Sequence, residues 1–186
     1  FYLAKGPIKT HDPLTGRMIE RFSSVERVAH WTMGLSFVVL ALTGIVILFG
    51  KHIILPIVGH AAFAGLTTLS KTLHNFVGPL FIFAMVIFIT LFIRENIWKS
   101  HDGAWFGKFG GLLSGEHVPS GKFNAGEKAL FWVLVMGLCS VLAVTGLILN
   151  FPNWNQGREA MQLANLIHGI AAILGMAMAT GHIYLG

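Results

Sequence analysis

The chain has 186 residues, of which 54% are hydrophobic and only 11% are charged, and its mean hydropathy is +0.70. A water-soluble domain needs more polar surface than this composition supplies, so we expect an integral membrane protein. The net charge of +5 does not indicate a nucleic-acid partner, because membrane proteins concentrate Lys and Arg in their cytoplasmic loops. The one cysteine, Cys139, excludes a disulfide framework or a thiolate metal site within the chain, and we expect it to be a packing residue.

Four apolar stretches are each long enough to cross a membrane, which takes about 20 mostly apolar residues. They are residues 28–49, 76–93, 129–149 and 161–186. With their polar ends included, we predict helices over about 26–49, 72–97, 126–150 and 161–186. The predicted fold is an all-α membrane protein, in which residues 28–186 form a bundle of four transmembrane helices after a cytoplasmic segment over residues 1–27.

The ends of the first two helices carry local signals. Ser23 and Glu26 have the spacing of a capping box just before the first apolar run, so the first helix should begin directly after Ser23. Residues 50–71 are also apolar, but they contain Pro56 and Gly59, which we interpret as interruptions. We therefore predict an interfacial or re-entrant helix over this segment rather than a fifth span.

Lys and Arg are distributed unequally between the two sides of the membrane. The N-terminal segment and the second loop, which share a side, carry ten of them, and the first and third loops carry three. We therefore predict a bacterial inner-membrane protein with a cytoplasmic N-terminus. The chain begins without Met and ends four residues after His182, so we expect it to be part of a longer subunit. Tryptophans lie near span ends, as an interfacial belt requires: Trp31, Trp98, Trp105, Trp132 and Trp154.

Four histidines lie inside the predicted spans, and the topology sorts them by depth. His30 lies near the cytoplasmic start of the first helix, and His182 near the cytoplasmic end of the fourth. His74 and His168 lie near the outer starts of the second and fourth helices. His168 and His182 are about 21 Å apart along one helix and leave it on nearly the same side. The four residues therefore form two depth-matched pairs, His30 with His182 and His74 with His168.

Ionisable residues inside a membrane are costly and indicate function, although a lone histidine could equally hydrogen-bond a neighbouring helix. Imidazole suits iron, copper or zinc, but no carboxylate or thiol lies beside these histidines within the spans to complete a tetrahedral site. A porphyrin iron needs only two axial ligands, because the macrocycle supplies four nitrogens. We therefore predict two b-type haems enclosed by the bundle, the inner one on His30 and His182 and the outer one on His74 and His168.

The other five histidines lie in polar or interfacial segments, where we expect them to be solvated: His11, His52, His60, His101 and His117. Of these, His60 is the alternative to His74 as the outer ligand. Glycines near the ligand positions leave room for a flat macrocycle, although small residues also serve ordinary helix packing. They are Gly34, Gly44, Gly78, Gly137, Gly146, Gly169, Gly175 and Gly181.

With both axial positions filled, neither iron would have an open position, so the remaining chemistry is one-electron transfer. Two such centres ~20 Å apart along one helix would carry electrons between a donor partner and a lipid-soluble acceptor, quinone. Residues 124–127, at the cytoplasmic start of the third helix, offer free backbone amides and polar side chains to a quinone. An ordinary helix cap, Asn124 with Glu127, would explain the same residue types.

Motifs in all four predicted spans carry a family resemblance. They are residues 26–32, 73–78, 121–128, and 166–169 followed by 182–184. This pattern resembles the cytochrome b (gamma) subunit of membrane-bound respiratory formate dehydrogenase, within the broader dihaem cytochrome b family. The resemblance implies the same two haem pairs and a quinone, menaquinone or ubiquinone, near the inner haem. Asn124, Gly126 and Glu127 would contact the quinone, and better-known members carry Gln at the position of Glu127.

The resemblance also implies partners, namely an iron–sulfur (beta) subunit and a molybdenum- or tungsten-pterin catalytic (alpha) subunit on the periplasmic side. Formate oxidation would then lie outside this chain, which would be the electron-transferring and quinone-reducing subunit. Two alternatives remain open. The dihaem unit could serve a hydrogenase or another molybdoenzyme, or, in a different class, the histidines could line a metal transporter. The spans lack both carboxylates and the inverted repeats with broken helices of many transporters, which counts against the transporter.

Overall fold

A computed structural model describes residue 16 and residues 19–111, 118–154 and 156–185. Four of its helices are long and apolar enough to cross a membrane: α1 (Ser24–Ile53), α2 (Leu55–Phe92), α4 (Ala125–Asn150) and α5 (Arg158–Leu185). A short helix, α3 (Ser100–Gly107), and a 3-10 turn at Phe109–Gly111 lie between α2 and α4. The predicted all-α membrane fold with four spanning helices is confirmed. Most of the predicted N-terminal segment lies outside the described residues.

Two of the spanning helices, α1 and α4, begin with the same capping arrangement. At α1, the Ser23 amide donates to the Glu26 carboxylate at 2.7 Å, and the Glu26 amide donates to the Ser23 hydroxyl at 3.3 Å. At α4, the corresponding distances between Asn124 and Glu127 are 2.7 Å and 2.9 Å. Each box satisfies two backbone donors that the first helical turn would otherwise leave free. The capping box predicted at Ser23 is therefore formed.

The start of α2 differs from the prediction. Helical structure begins at Leu55, Gly59 divides it into a short first piece and a long second one, and residues 60–71 continue into the span without a break near residue 72. Pro56 lies in the first turn of α2, where an amide has no helical partner to lose, and Gly59 departs from helical geometry with φ 78° and ψ 171°. Pro56 therefore marks the start of the first piece, and Gly59 the kink before the long one. The unbroken part of α2 extends for about 21 Å outward from His74, whereas α5 continues for about 15 Å beyond His168.

The end of α2 also comes earlier than the predicted residue 97. The helix stops at Phe92, whose carbonyl accepts hydrogen bonds from both the side-chain amide of Asn96, at 2.9 Å, and its backbone amide, at 3.2 Å. Asn96 is buried, and its own carbonyl accepts from the Trp132 indole at 2.9 Å. This side-chain cap ends the helix and ties the α2–α4 connection to α4.

The core lies between the helices and is rich in aromatic and sulfur-containing side chains, among them Phe81, Met85, Phe92, Phe131 and Cys139. Cys139 is 1% exposed, which agrees with its predicted packing role. The middle of α4, Phe131–Cys139, is π-helical, between α-helical turns at Ala125–Leu130 and Ser140–Asn150. Large apolar side chains such as Phe76 and Phe83 face outward, as expected of a surface in contact with lipid.

A buried ion pair holds α3 against the start of α4. The Lys128 ammonium lies 2.7 Å from the Asp102 carboxylate, and each side chain is only 2% exposed. Lys128 also donates to the Ile97 carbonyl at 3.2 Å, and the Lys99 amide donates to Asp102 at 2.6 Å. Burial by itself would raise the pKa of Asp102, but the hydrogen bonds from Lys128 and Lys99 and the Lys128 charge outweigh it and lower the pKa.

Candidate cofactor sites

The outer histidine pair lies in a cavity between the four spanning helices. The ring centroids of His74 on α2 and His168 on α5 are 6.2 Å apart, and the ring planes cross at 71°. Both side chains are half-buried. The cavity has a volume of about 470 Å³, and residues of α1, α2, α4 and α5 line it. The two histidines therefore face each other across a cavity between the helices.

The inner histidine pair has the same separation but a more open setting. His30 on α1 and His182 on α5 have ring centroids 6.2 Å apart and planes that cross at 64°. Both residues are exposed. The structure thus brings together the two pairs that the sequence predicted. It does not bring His60 to His168, because His60 lies 14 residues before His74 on the same helix, about 21 Å away along it.

The separation of each pair fits an iron held between two imidazoles. A metal–imidazole nitrogen bond is about 2.0 Å and the ring centre lies about 1.1 Å beyond that nitrogen, so two axial imidazoles would have centroids about 6.2 Å apart. Within the described residues, no group of three or more His, Cys, Asp or Glu side chains could hold a metal ion. A pair of imidazoles alone suits a metal whose other ligands come with it, as in haem.

Glycines leave space beside the ligands for a macrocycle. Gly78 and Gly169 line the outer cavity, and a Cβ at either position would meet nothing within 4 Å. Gly34 and Gly181, near the inner pair, are equally free of neighbours. The predicted set is not uniform, however. A Cβ at Gly175 would lie 3.8 Å from side chains of α1 and α4, so this glycine serves helix packing, and a Cβ at Gly137 would lie 3.5 Å from the Trp132 carbonyl of its own helix.

Two threonines that the sequence analysis missed contact the outer histidines. The Thr43 hydroxyl on α1 lies 2.9 Å from Nδ1 of His74, and the Thr145 hydroxyl on α4 lies 2.9 Å from Nδ1 of His168. The glycine after each threonine packs on the same ring, since a Cβ at Gly44 or Gly146 would lie 3.4 or 3.3 Å from the histidine Cε1. The signal was a repeated sequence, Leu-Ala-x-Thr-Gly, at residues 40–44 and 142–146.

The inner pair has a different surrounding. Within the described residues, no hydrogen bond reaches the ring of His30 or His182, and the contacts are aromatic. The ring centroids of His30 and Phe88 are 6.1 Å apart, and those of Phe88 and Phe131 are 6.3 Å apart. His30 therefore packs against an apolar ring, and within the described residues neither inner histidine is anchored by a hydroxyl group.

The predicted quinone residues form the α4 cap, and part of this segment is covered. Glu127 also faces Arg21 at 3.5 Å, and a Cβ at Gly126 would lie 2.7 Å from the Trp105 ring. Asn124 caps through its Oδ1 atom, and its Nδ2 donor has no partner within the described residues.

The neighbouring Phe123 belongs to a series of ring contacts that leads to the inner pair. Successive centroids are 5.8 Å apart for Phe123–Phe92, 4.5 Å for Phe92–Phe88 and 6.1 Å for Phe88–His30.

The remaining histidines lie away from both pairs or outside the described residues. His52 and His60 are exposed on the outer parts of α1 and α2. His101 lies on α3, with its Nε2 atom 3.7 Å from Asp102. His11 and His117 fall outside the described residues. Within the described residues, the two depth-matched pairs are thus the histidine pairs that the spanning helices bring together.

A four-helix membrane bundle with facing imidazoles inside is the arrangement of a membrane cytochrome. The chain belongs to the prokaryotic cytochrome b561 family, whose sequence pattern matches residues 21–186. Family membership implies haem b and electron transfer in the membrane, and it favours the haem interpretation of the histidines over a metal transporter.

Several curated relatives share most of this chain. The nitrate-inducible formate dehydrogenase cytochrome b556(Fdn) subunit of Escherichia coli K12 is 30% identical over 174 residues, which cover 91% of this chain and 77% of the relative. The formate dehydrogenase cytochrome b556 subunit of Haemophilus influenzae is 28% identical over 176 residues, 90% and 70% of the two chains. The cytochrome b556(fdo) subunit of E. coli K12 is 26% identical over 169 residues, 89% and 77%. The family resemblance identified from the motifs is confirmed.

Proposed function

We propose that this chain carries electrons across the membrane through two b-type haems, from an iron–sulfur partner of a formate dehydrogenase to quinone near the cytoplasmic side. The observation that supports it is the equal 6.2 Å separation of two histidine pairs at two depths of one bundle. The relatives are named as cytochrome subunits of formate dehydrogenase, which supports the choice of complex. When bound, each haem supplies a one-electron centre.

The protein residues hold and orient these groups. His74 and His168 would ligate the outer iron, and His30 and His182 the inner one. The outer cavity carries polar residues as well as apolar ones, namely Lys71, Asn75, Asn150 and Asn165. One cation and three amides at the membrane surface suit the two carboxylates of haem propionates, which need charge-assisted or amide hydrogen bonds when partly buried.

The quinone would bind at the inner end, where Asn124 offers its free Nδ2 donor to a quinone carbonyl. The series of ring contacts from Phe123, beside Asn124, through Phe92 and Phe88 to His30 supports this position for the quinone. Glu127 and Arg21, each about half-exposed or more, lie beside the same cap and offer a path to the cytoplasm for the protons that quinone reduction consumes. Electrons and protons would then meet at the cytoplasmic side, and turnover would generate membrane potential.

The ligand assignment is tested by counting haems in histidine variants of the purified complex. His74→Ala and His182→Ala should each lose one haem of two and retain the other, as measured by the reduced b-type absorbance per chain.

A steric variant gives an independent check. Gly78→Leu should lose the outer haem because Leu would occupy its space, while Gly65→Leu should retain both, since Gly65 is equally free of neighbours but lies far from the cavity. A wild-type complex without haem would overturn the assignment.

The quinone assignment needs variants that separate binding from helix capping. Asn124→Ser keeps a capping hydroxyl but removes the Nδ2 donor, so it should slow quinone reduction while both haems remain reducible by the donor. Ser23→Ala at the matched cap of α1 is the control, and it should affect stability without this kinetic defect. If Asn124→Ser reduces quinone at the wild-type rate, Asn124 serves only as a helix cap.

The dehydrogenase partner is tested by identifying the proteins that co-purify with this chain. An iron–sulfur subunit together with a molybdenum- or tungsten-pterin formate dehydrogenase subunit is the expected result. If a hydrogenase co-purifies instead, the proposal of two haems stands but the electron donor is a hydrogenase and not a formate dehydrogenase.

A further inference from the structure

We propose that Thr43 and Thr145 are matched positioning residues that hold the outer axial histidines in the ligating tautomer and set the outer haem apart from the inner one. This inference rests on the proposed function, since it takes His74 and His168 as the outer iron ligands. The inference concerns the Nδ1 atoms of His74 and His168, which would face away from the iron.

Counting protons assigns the direction of each threonine–histidine hydrogen bond. The Thr43 hydroxyl has a single proton, which it donates to the Val39 carbonyl at 2.7 Å. Its 2.9 Å contact with Nδ1 of His74 must then use a proton of the imidazole. Thr145 repeats the arrangement, with the Val141 carbonyl at 2.6 Å and Nδ1 of His168 at 2.9 Å.

The backbone supports the same assignment. Each hydroxyl has a second carbonyl within reach of its proton, that of Leu40 at 3.2 Å from Thr43 and that of Leu142 at 3.4 Å from Thr145. A carbonyl can only accept, so Nδ1 carries the proton in both rings. The Nε2 atom of each ring therefore keeps its lone pair for the iron.

The threonine and the glycine that follows it act on two atoms of the same ring. Thr43 holds Nδ1 of His74, and the backbone of Gly44 packs against Cε1. Thr145 and Gly146 do the same to His168. Contacts at two ring atoms restrict rotation of the imidazole as well as its tautomer. The inner histidines have no such contacts within the described residues, so only the outer site is pre-organised in this way.

This difference has an electronic consequence. An oxygen that accepts the Nδ1 proton makes the imidazole a stronger electron donor, which stabilises the oxidised iron and lowers its reduction potential. Removing the threonine oxygen should therefore raise the potential of the outer haem and leave that of the inner haem unchanged. It should also weaken haem retention at the outer site by about 10-fold, the lower end of the usual cost of losing such a partner.

The test uses isosteric variants in the intact complex, with the inner haem as an internal reference. Thr43→Val and Thr145→Val remove the oxygen while keeping the side-chain shape, and Thr43→Ser restores it. Thr90→Val is the matched control, because the Thr90 hydroxyl bonds only to the Val86 carbonyl of its own helix. Redox titration of the two b-type bands, EPR of the ferric haems and the rate of haem transfer to an acceptor protein are the readouts.

We expect each Val variant to raise one of the two potentials, to release one haem about 10-fold faster, and to leave the other haem at its wild-type values. Thr43→Ser and Thr90→Val should match the wild type. Two haems with unchanged potentials and release rates in both Val variants would overturn the inference, as would equal shifts of both haems. Failure of the proposed function is distinguishable, because His74→Ala would then retain both haems.

Discussion

At the scale of single residues, the ion pair of Lys128 and Asp102 determines whether α3 stays attached to the start of α4. Asp102→Asn should destabilise the protein by roughly 3 kcal/mol, because it leaves the Lys128 ammonium buried without a counter-charge. The measurement is thermal unfolding of the detergent-solubilised protein. A double variant, Asp102→Leu with Lys128→Met, should regain most of the loss, since replacing both charges removes the unpaired group.

The same pair gives stability a defined pH dependence. The folded pKa of Asp102 is lowered, so its contribution is present at pH values above the unfolded pKa of about 3.9. It is lost as the pH falls through the lower, folded value. The wild type and Asp102→Asn should therefore reach the same stability only below about pH 4, where the wild-type carboxyl is protonated as well. Equal stability already near neutral pH would show that the Asp102 charge does not contribute.

The pairing of the histidines could be predicted from the sequence, but the contacts of Thr43 and Thr145 with the outer pair could not. Four histidines stand out because ionisable groups are rare in apolar spans, and helix geometry sorts them by depth. A threonine in a membrane helix commonly bonds to its own backbone, as Thr90 and Thr180 do, so Thr43 and Thr145 were not distinctive. Only the spatial approach of α1 to α2 and of α4 to α5 shows which hydroxyls reach a ligand.

At the scale of helices, α1 and α4 share an internal sequence pattern. Each begins with a capping box whose last residue is Glu, each has a tryptophan eight residues after the cap, and each carries the Thr-Gly pair that contacts an outer histidine. The helix after each one supplies that histidine. The outer site thus consists of two halves that follow the same sequence pattern. Helices α1 and α2 form one half, and α4 and α5 form the other.

The inner layer departs from this pattern. His30 of α1 and Phe131 of α4 occupy equivalent positions, each seven residues after the cap residue. Phe88 of α2 and His182 of α5 are also equivalent, because each lies 14 residues after the outer histidine of its helix. The two phenylalanines contact each other, with ring centroids 6.3 Å apart. One pattern therefore yields a histidine pair and a phenylalanine pair at the same depth. This accounts for one inner ligand pair instead of two.

The π-helical stretch of α4 takes up a difference in length between the two matched helices. Thr43 follows its cap residue Ser23 by 20 residues, whereas Thr145 follows Asn124 by 21. In an α-helix, one extra residue would turn the threonine by about 100° away from its histidine. The wider turns of Phe131–Cys139 absorb the extra residue and keep both the cap and Thr145 in place.

A deletion in the π-helical stretch should therefore be tolerated better than one in α1. Removing Met136 gives α4 the same spacing as α1, so we expect the outer haem to be retained. Removing Val38 from α1 should turn Thr43 away from His74 and release that haem. Haem content per chain is the measurement. Equal loss in both deletion variants would contradict the compensation.

Sequence patterns could not predict this stretch or the true start of α2. Nothing in the composition of residues 131–139 distinguishes π from α geometry, because the difference arises from a register that α4 must keep with α5. Pro56 and Gly59 were identified correctly as signals of a break, since Gly59 separates the first turn of α2 from the rest of the helix, but the break lies 13 residues before the predicted start at residue 72. Element type was predictable from hydropathy, whereas these boundaries depend on packing between helices.

At the scale of the whole molecule, function depends on which face of the membrane each histidine pair approaches. The proposed direction of electron transfer requires the α1–α2 connection outside and the α2–α4 connection in the cytoplasm. The ten-to-three distribution of Lys and Arg supports this orientation. The long outer part of α2, which carries no acidic residue, extends on the side where the iron–sulfur partner would bind.

Cysteine labelling of intact cells tests that orientation directly. The chain has a single cysteine, Cys139, which is 1% exposed inside the bundle and should not react, so the native sequence supplies an unlabelled background. His52→Cys places a thiol at the exposed outer end of α1, and Ser120→Cys places one in the exposed loop before α4. A membrane-impermeant maleimide should label the first in cells whose outer membrane is permeabilised, and the second only after the inner membrane is opened. The reverse pattern would put the quinone on the opposite side and invert the direction of charge transfer.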